Sequence, residues 1–325
     1  MLVSVRTNYE KLAMRLKGLM WELSRGSTLN APAEFRFRGI DIPTGAARAA
    51  ILGELATLSI DDVPPSPELE GYLNADLDRF LYTLALVPDA IEGTALEIGA
   101  NPYFMSALLK TQRPKLTFDY VNYFHPLGAD RGVQHVRWNV GSGESREFDV
   151  DYMNINLEED ALPVEDERYD LILFCEVLEH FIMHPYQAVT ELWRKLKPGG
   201  TMVLTTPNSA RYESVVALLE GRNVYDQYSG YGPHGRHNRE YVRHELHMLM
   251  KHCGFTCDLD FTSDVRPNWI PQTIAHRHAM WALNLTRHRE HDLGQYLFSR
   301  WRKTHEPTPR YPQWLYRSYP DGMIE

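Results

Sequence analysis

Cysteine is scarce in this chain. Three residues in 325, Cys175, Cys253 and Cys257, cannot build a disulfide framework, so a reducing compartment and a cytoplasmic location are expected. No apolar run approaches the roughly 20 residues that a membrane span needs. The N-terminus lacks the apolar stretch and small-residue cleavage site of a signal peptide. Internal repeats are absent, and the histidines between 276 and 305 show no ligand spacing. Basic residues are in deficit, 34 Lys and Arg against 43 Asp and Glu, giving a net charge of −9. That balance opposes non-specific binding of nucleic acid through a basic face, although one basic groove can sit on an acidic protein. What is present, 43% hydrophobic and 24% charged residues, is the composition of an ordinary globular chain of one large or two modest domains.

Residues 9–24 place Leu12, Leu16, Leu19, Met20 and Leu23 at helical spacing among basic residues. Packing against the protein is the preferred reading, ahead of peripheral contact with a membrane. A second helical pattern covers 44–58, and "DDVPPSPELEG" (61–71), with three prolines, reads as a linker. A third helix is expected over 73–87. From 94 to 206 apolar runs alternate with helical patterns: strands at 95–99, 116–122, within 148–155, 169–177 and 201–207, and helices at 102–111 and 185–196. Near-continuous apolar strands separated by helices indicate an α/β, Rossmann-like doubly wound, mostly parallel sheet covered on both faces.

In such a sheet ligands bind outside the carboxyl ends of the strands. After the first strand stand Glu97, Gly99, Ala100, Asn101 and Pro102. Gly99 permits a sharp turn and close approach. The second and third glycines of a dinucleotide loop are missing, and Tyr103 is expected to crowd a pyrophosphate, so NAD and FAD are disfavoured. Asp119 or Asn122, about twenty residues on, stands where a ribose-binding group belongs. Asn156 and Leu157, after the third strand, suit an adenine edge. The fourth strand ends in Cys175 and the densest constellation, Glu176, Glu179 and His180. One helical turn would aim the last three at a single site. Two carboxylates and an imidazole suit a divalent cation such as Mg²⁺ or Mn²⁺, or a general base. Bracing of the adjoining helix and loops is the alternative.

Taken together, "LEIGANPYF", "RYDLILFCEVLEHF" and "LWRKLKPGGTMVLTTPN", followed by "HNREYVRHELHMLMKHCGF", resemble class I S-adenosylmethionine-dependent methyltransferases. The likeness runs from about residue 86 to 262, with a weaker echo to about 303. It implies a seven-stranded methyltransferase domain over 71–304, preceded by a helical extension and linker (1–70) and followed by a tail (305–325). Substrate-loop insertions are expected near 223–240 and 265–292, the latter with Trp269 and Trp281.

The resemblance also assigns roles. Glu97, Gly99, Ala100 and Asn101 would line the methionine part of S-adenosylmethionine, Asp119 or Asn122 the ribose, and Asn156 with Leu157 the adenine. Cys175 and Glu176 would also contact the cofactor, with Glu176 between it and the acceptor. One branch of the family holds a divalent metal through E-x-x-E-H and a later histidine, a pattern that Glu176, Glu179, His180 and His237 match. The implied reaction is O-methylation of a small-molecule or glycan acceptor, with His180, His237 and Glu176 as catalytic groups. Competing classes are an NAD(P)-dependent oxidoreductase, a nucleic-acid methyltransferase, which the acidic charge opposes, and a non-catalytic S-adenosylmethionine-binding protein.

Overall fold

A computed structural model describes residues 15–17, 34–124, 131–141, 143–268, 276 and 292–318. Apart from 15–17, which are helical, the amphipathic segment 9–24 lies outside the described residues, as do Trp269, Trp281 and 319–325. Residues 1–34 with 267–291 form one compact unit, and 35–266 with 292–325 form the other.

The second unit begins with the alanine-rich helix α1 (Gly45–Leu55), strand β1 (Ser59–Ile60) and helix α2 (Pro67–Leu86). Helix α2 starts inside the stretch read as a linker. Ser66 Oγ accepts from the Leu69 N–H at 3.3 Å, Pro67 needs no donor in the first turn, and Glu68 and Glu70 favour the positive end of the helix dipole. The prolines therefore stop one element and start the next. Contacts cross the positions 70 and 304. Phe37 stacks on Phe261 at 4.3 Å, the Phe35 N–H reaches Asp264 at 2.8 Å, and Tyr186 donates to the Thr308 carbonyl at 2.6 Å.

Next come β2 (Gly93–Ile98), α3 (Phe104–Gln112), β3 (Leu116–Asn122), β4 (Arg131–Val140), β5 (Glu144–Asn154) and β6 (Tyr169–Cys175). Helix α4 (Pro185–Lys195), β7 (Leu196–Pro207), α5 (Tyr212–Leu219), α6 (Arg243–His252), β8 (Phe255–Ser263) and β9 (Tyr296–Lys303) complete the unit. Among the described residues the sheet has nine strands in the order β1-β4-β5-β3-β2-β6-β7-β9-β8, two more than the expected seven. Strands β5, β3, β2, β6 and β7 run parallel, and β9 lies antiparallel between β7 and β8.

The additional strands are β4 and β1. Strand β4 forms an antiparallel hairpin with β5, and β1 covers part of its outer edge. Val136, Trp138 and Val140 point inward in alternation along β4, a period-2 signal that the sequence reading passes over. Apolar layers flank both faces: Leu73, Leu77, Phe80 and Phe104 on one, Val189, Leu192, Leu246 and Leu249 on the other. That burial explains why β6 and the Met202–Leu204 centre of β7 are apolar runs. The carboxyl ends of the parallel strands share one edge, where two cavities open.

Candidate active site

The two cavities, of about 310 and 380 Å³, share Ile98, Gly99, Glu176 and His180 as a common wall. Gly99 turns the chain out of β2 with a φ of +67°, and a β-carbon there would sit 2.9 Å from a Val177 methyl. Ala100, Asn101 and Pro102 line the first cavity. Tyr103 does not crowd either one. Its left-handed backbone tucks the ring beneath the loop, fully buried, with its hydroxyl 2.5 Å from Gln134 Oε1. The expectation that it would obstruct a ligand is thus corrected.

The larger cavity is bounded by the turns after β3 and β5: Asn122, Tyr123 and Phe124 from one, Ile155, Asn156 and Leu157 from the other. Val177, Phe181, Tyr231 and His234 close it. Asn122 Oδ1 accepts the Asn101 N–H at 3.2 Å and its amide donates to Tyr103 at 3.0 Å, so it braces the glycine turn while facing the cavity. Asp119, the other ribose candidate, lies elsewhere. It pairs with Leu96 in mid-strand and binds Arg168 Nε at 2.6 Å and the Tyr169 hydroxyl at 3.0 Å, beside a separate shallow depression. The ladder continues to Val121, so Asp119 falls short of the strand's carboxyl end.

The smaller cavity holds the titratable groups. Glu97 is buried and accepts from Ser106 Oγ at 2.6 Å. Burial pushes its carboxyl up to about 7, against the opposing pull of Ser106 and Lys110. Cys175 lines the same cavity, its thiol pushed up to about 12 by burial. Glu176 adopts a φ of +56°, a conformation non-glycine residues seldom hold, and accepts from Thr205 Oγ1 at 2.8 Å. Burial raises its carboxyl while Arg79 opposes the shift.

Glu179 is fully buried, with Oε2 accepting from Thr206 at 2.9 Å and Oε1 lacking any hydrogen-bond partner. Burial first, and the charge of Glu176 second, hold it well above the usual carboxylate range. His180 Nδ1 lies 3.1 Å from the Arg236 carbonyl, and His237 Nδ1 lies 3.0 Å from Glu240 Oε1. A carbonyl or carboxylate can only accept, so both Nδ1 atoms carry the proton and both Nε2 atoms keep their lone pairs when the rings are neutral. Burial, then His237, lowers the His180 pKa. Glu179, His180 and His237 each offer a ligand atom within 4.8 Å of the others. Glu176 lines the same wall but is not in that set.

Helix α2 supplies residues that sequence reading missed: Tyr72, Asp76 and Arg79. Arg79 is 4% exposed, donates to the Tyr72 hydroxyl, and lies over the Phe80 ring at 4.9 Å. The signal was available, because Asp76 falls on the same helical stripe as Leu73, Leu77 and Phe80, and a polar residue on an apolar stripe needs a reason. Glu240, which orients His237 and pairs with Arg211, carried no comparable signal. Among the described residues no helix is long and apolar enough to cross a membrane.

Residues 70–259 match the family model of the methyltransferase domain. Curated relatives include ubiquinone biosynthesis O-methyltransferases. The protein from Cereibacter sphaeroides is 34% identical over 93 residues, covering 29% of this chain and 36% of the relative. That from Roseobacter denitrificans is 30% identical over 98 residues, 30% of this chain and 38% of the relative. The chain thus spans little more than a third of the length of these relatives. Among solved structures, the N-methyltransferase NodS of Bradyrhizobium japonicum, in complex with S-adenosylhomocysteine, superposes with a TM-score of 0.42 at 12% identity, covering 79% of this chain and 97% of that one.

Proposed function

The chain belongs to the methyltransferase-domain family, and from that premise we propose that it transfers a methyl group from S-adenosylmethionine to a hydroxyl of a small-molecule or glycan acceptor. The observation that carries this reading is the charge of the smaller cavity. Among its described lining residues, Asp76, Glu97, Glu176 and Glu179 face a single arginine, Arg79. Such a wall offers a pyrophosphate one cation only, while its buried acids gain charge beside a cationic group, so it favours a ligand bearing a sulfonium, an ammonium and one carboxylate. The carboxylate would pair with Arg79 and the ammonium with Glu97. Asn156 and Leu157 would hold adenine, with Asn122 and Tyr123 beside the ribose.

Methyl transfer needs the acceptor oxygen in line with the S–CH₃ bond, at about 3–3.5 Å. The cofactor supplies the electrophile, so the protein must align the hydroxyl and receive its proton. The Nε2 atoms of His180 and His237, presented at one wall with their Nδ1 atoms engaged, are suited to accept it. Glu240 stabilises the imidazolium that His237 would become.

The same set fits a divalent cation of the Mg²⁺ or Mn²⁺ class. Glu179 Oε1 is a buried oxygen without a hydrogen-bond partner among the described residues, and Glu179, His180 and His237 each bring a ligand atom within 4.8 Å of the other two. Glu179, His180 and His237 would hold the ion, with Glu176 adjacent. When bound, it would lower the pKa of the acceptor hydroxyl. Ubiquinone biosynthesis O-methyltransferases act in the making of a quinone, and a catechol is therefore the first acceptor to try.

The test is calorimetric titration with S-adenosylhomocysteine, then turnover of S-adenosylmethionine with 3,4-dihydroxybenzoate, with and without Mn²⁺. Saturable one-to-one binding and a product heavier by one methylene are expected. Failure to bind S-adenosylhomocysteine would sink the cofactor assignment. Binding that survives while His180→Ala and His237→Ala both turn over like wild type would sink the role of the imidazoles.

A further inference from the structure

At the far edge of the sheet, helix α6 and strand β8 bring together a second set of metal-ligating side chains. In a regular strand, Cys257 and Asp260, three residues apart, would face opposite sides. The register shift between Cys257 and Leu259 prevents this. Their partners on β9 are the adjacent Trp301 and Arg300, so β8 carries one extra residue there, and the bulge returns Cys257 and Asp260 to one face.

His247 of α6 meets them. Its Nε2 lies 3.1 Å from Asp260 Oδ2, and Cys257 Sγ lies 3.7 Å from Asp260 Oδ1. The three ligand atoms fall within 4.8 Å of one another. His247 Nε2 and Asp260 Oδ2 are both buried, and the oxygen is within ion-pair distance of His247 Nε2 and of Arg243 Nε. A nitrogen, an oxygen and a sulfur from α6 and the bulged strand thus converge on one point.

We propose that His247, Cys257 and Asp260 form a binding site for a thiophilic divalent cation of the zinc class, with the remaining position open to solvent. A sulfur, a nitrogen and an oxygen donor suit zinc, which is not selective for any one of them and accepts a fourth, exchangeable ligand. The charges balance. A Cys257 thiolate and the Asp260 carboxylate neutralise a dication. Arg243, whose Nε lies 2.7 Å from Asp260 Oδ2, is compensated by Asp292 at 3.1 Å. Arg243 is then an outer partner that orients the carboxylate. The His247 ring packs against Trp301 at 5.0 Å, which fixes its plane. None of the three ligands lines either cavity of the cleft. The ion joins the helix to the edge strand and acts as a clasp on that end of the sheet.

Cobalt(II) tests this directly, because a thiolate ligand produces a sulfur-to-metal charge-transfer band that oxygen and nitrogen ligands do not. The full chain, reduced with a phosphine, is titrated with Co²⁺ and then back-titrated with Zn²⁺. One equivalent of Co²⁺ should develop the band and Zn²⁺ should abolish it. Cys257→Ser should lose the band, while Cys175→Ser and a His180→Ala/His237→Ala double variant, altered only at the cleft, should keep it. Asp260→Asn should weaken Co²⁺ by about tenfold or more. No band in the wild-type chain at excess Co²⁺, or a band that persists in Cys257→Ser, overturns the proposal. The wild-type arm needs no variant to fold.

Discussion

At the residue scale, two positions control the cleft. Gly99 has both a left-handed φ and a methyl 2.9 Å from where its β-carbon would be. Gly99→Ala should cost about 1–2 kcal/mol in stability through backbone strain and about tenfold in S-adenosylhomocysteine affinity. Calorimetry that finds the affinity unchanged would mean the ligand does not approach this loop. Glu97 gives a pH signature. Its folded carboxyl titrates near 7, above the ordinary value of 4.5, because burial disfavours the charged form. The folded state therefore holds a proton that the unfolded state releases. Stability associated with this group is fully present below about pH 4.5 and is lost as pH rises through about 7. The difference is on the order of 3 kcal/mol. Glu97→Gln should flatten that part of the profile, which urea unfolding of both proteins between pH 4.5 and 8 will measure. Both positions were legible in the sequence, since a lone glycine after an apolar strand and an acid two residues before it stand out. Asp119 shows the opposite case. Chemistry favoured it, but the ladder runs to Val121 and leaves it mid-strand, held by Arg168.

At the element scale, the clearest device is the turn before α4. Glu158 is 4% exposed and accepts the backbone N–H groups of Ile182, Met183 and His184 at 2.7–2.9 Å. Helix α4 has no side-chain cap of its own, so this distant carboxylate satisfies the donors at its positive end. It also ties the Asn156–Leu157 wall to the segment following His180. Glu158→Gln turns an amide group toward those donors and should lose about 2 kcal/mol, given the strength of hydrogen bonds to a charged acceptor. The thermal midpoint should fall by several degrees and S-adenosylhomocysteine should bind more weakly. An unchanged midpoint would show that the turn holds itself. In the sequence Glu158 was one acid in "EEDALPVEDERYD", indistinguishable from solvated neighbours, because its partners lie 24–26 residues away. Strand β4 was missed for another reason. It is amphipathic rather than continuously apolar, unlike the buried parallel strands.

At the scale of the whole molecule, the five central parallel strands align their carboxyl ends so that one cleft receives side chains from α2, β2, β6 and the segment around His237. A ligand bridging these elements binds only the folded state. At a concentration a hundredfold above its dissociation constant, S-adenosylhomocysteine should add about 2.7 kcal/mol and raise the thermal midpoint by several degrees. NADH at the same concentration should leave it unchanged, because the described lining offers its pyrophosphate one arginine, Arg79, already engaged by Asp76 and Tyr72. Stabilisation by NADH equal to that by S-adenosylhomocysteine would contradict the charge argument. The sequence by itself determined the α/β class, the places of the central strands along the chain and the family, because burial on both faces and sharp turns at strand ends impose local patterns that survive in one dimension. Only the tertiary structure decided which polar groups meet. Arg79 against Glu176, Glu240 behind His237, and Cys257 beside Asp260 across a bulge each depend on register and helix placement, which arise from packing between segments far apart in the chain.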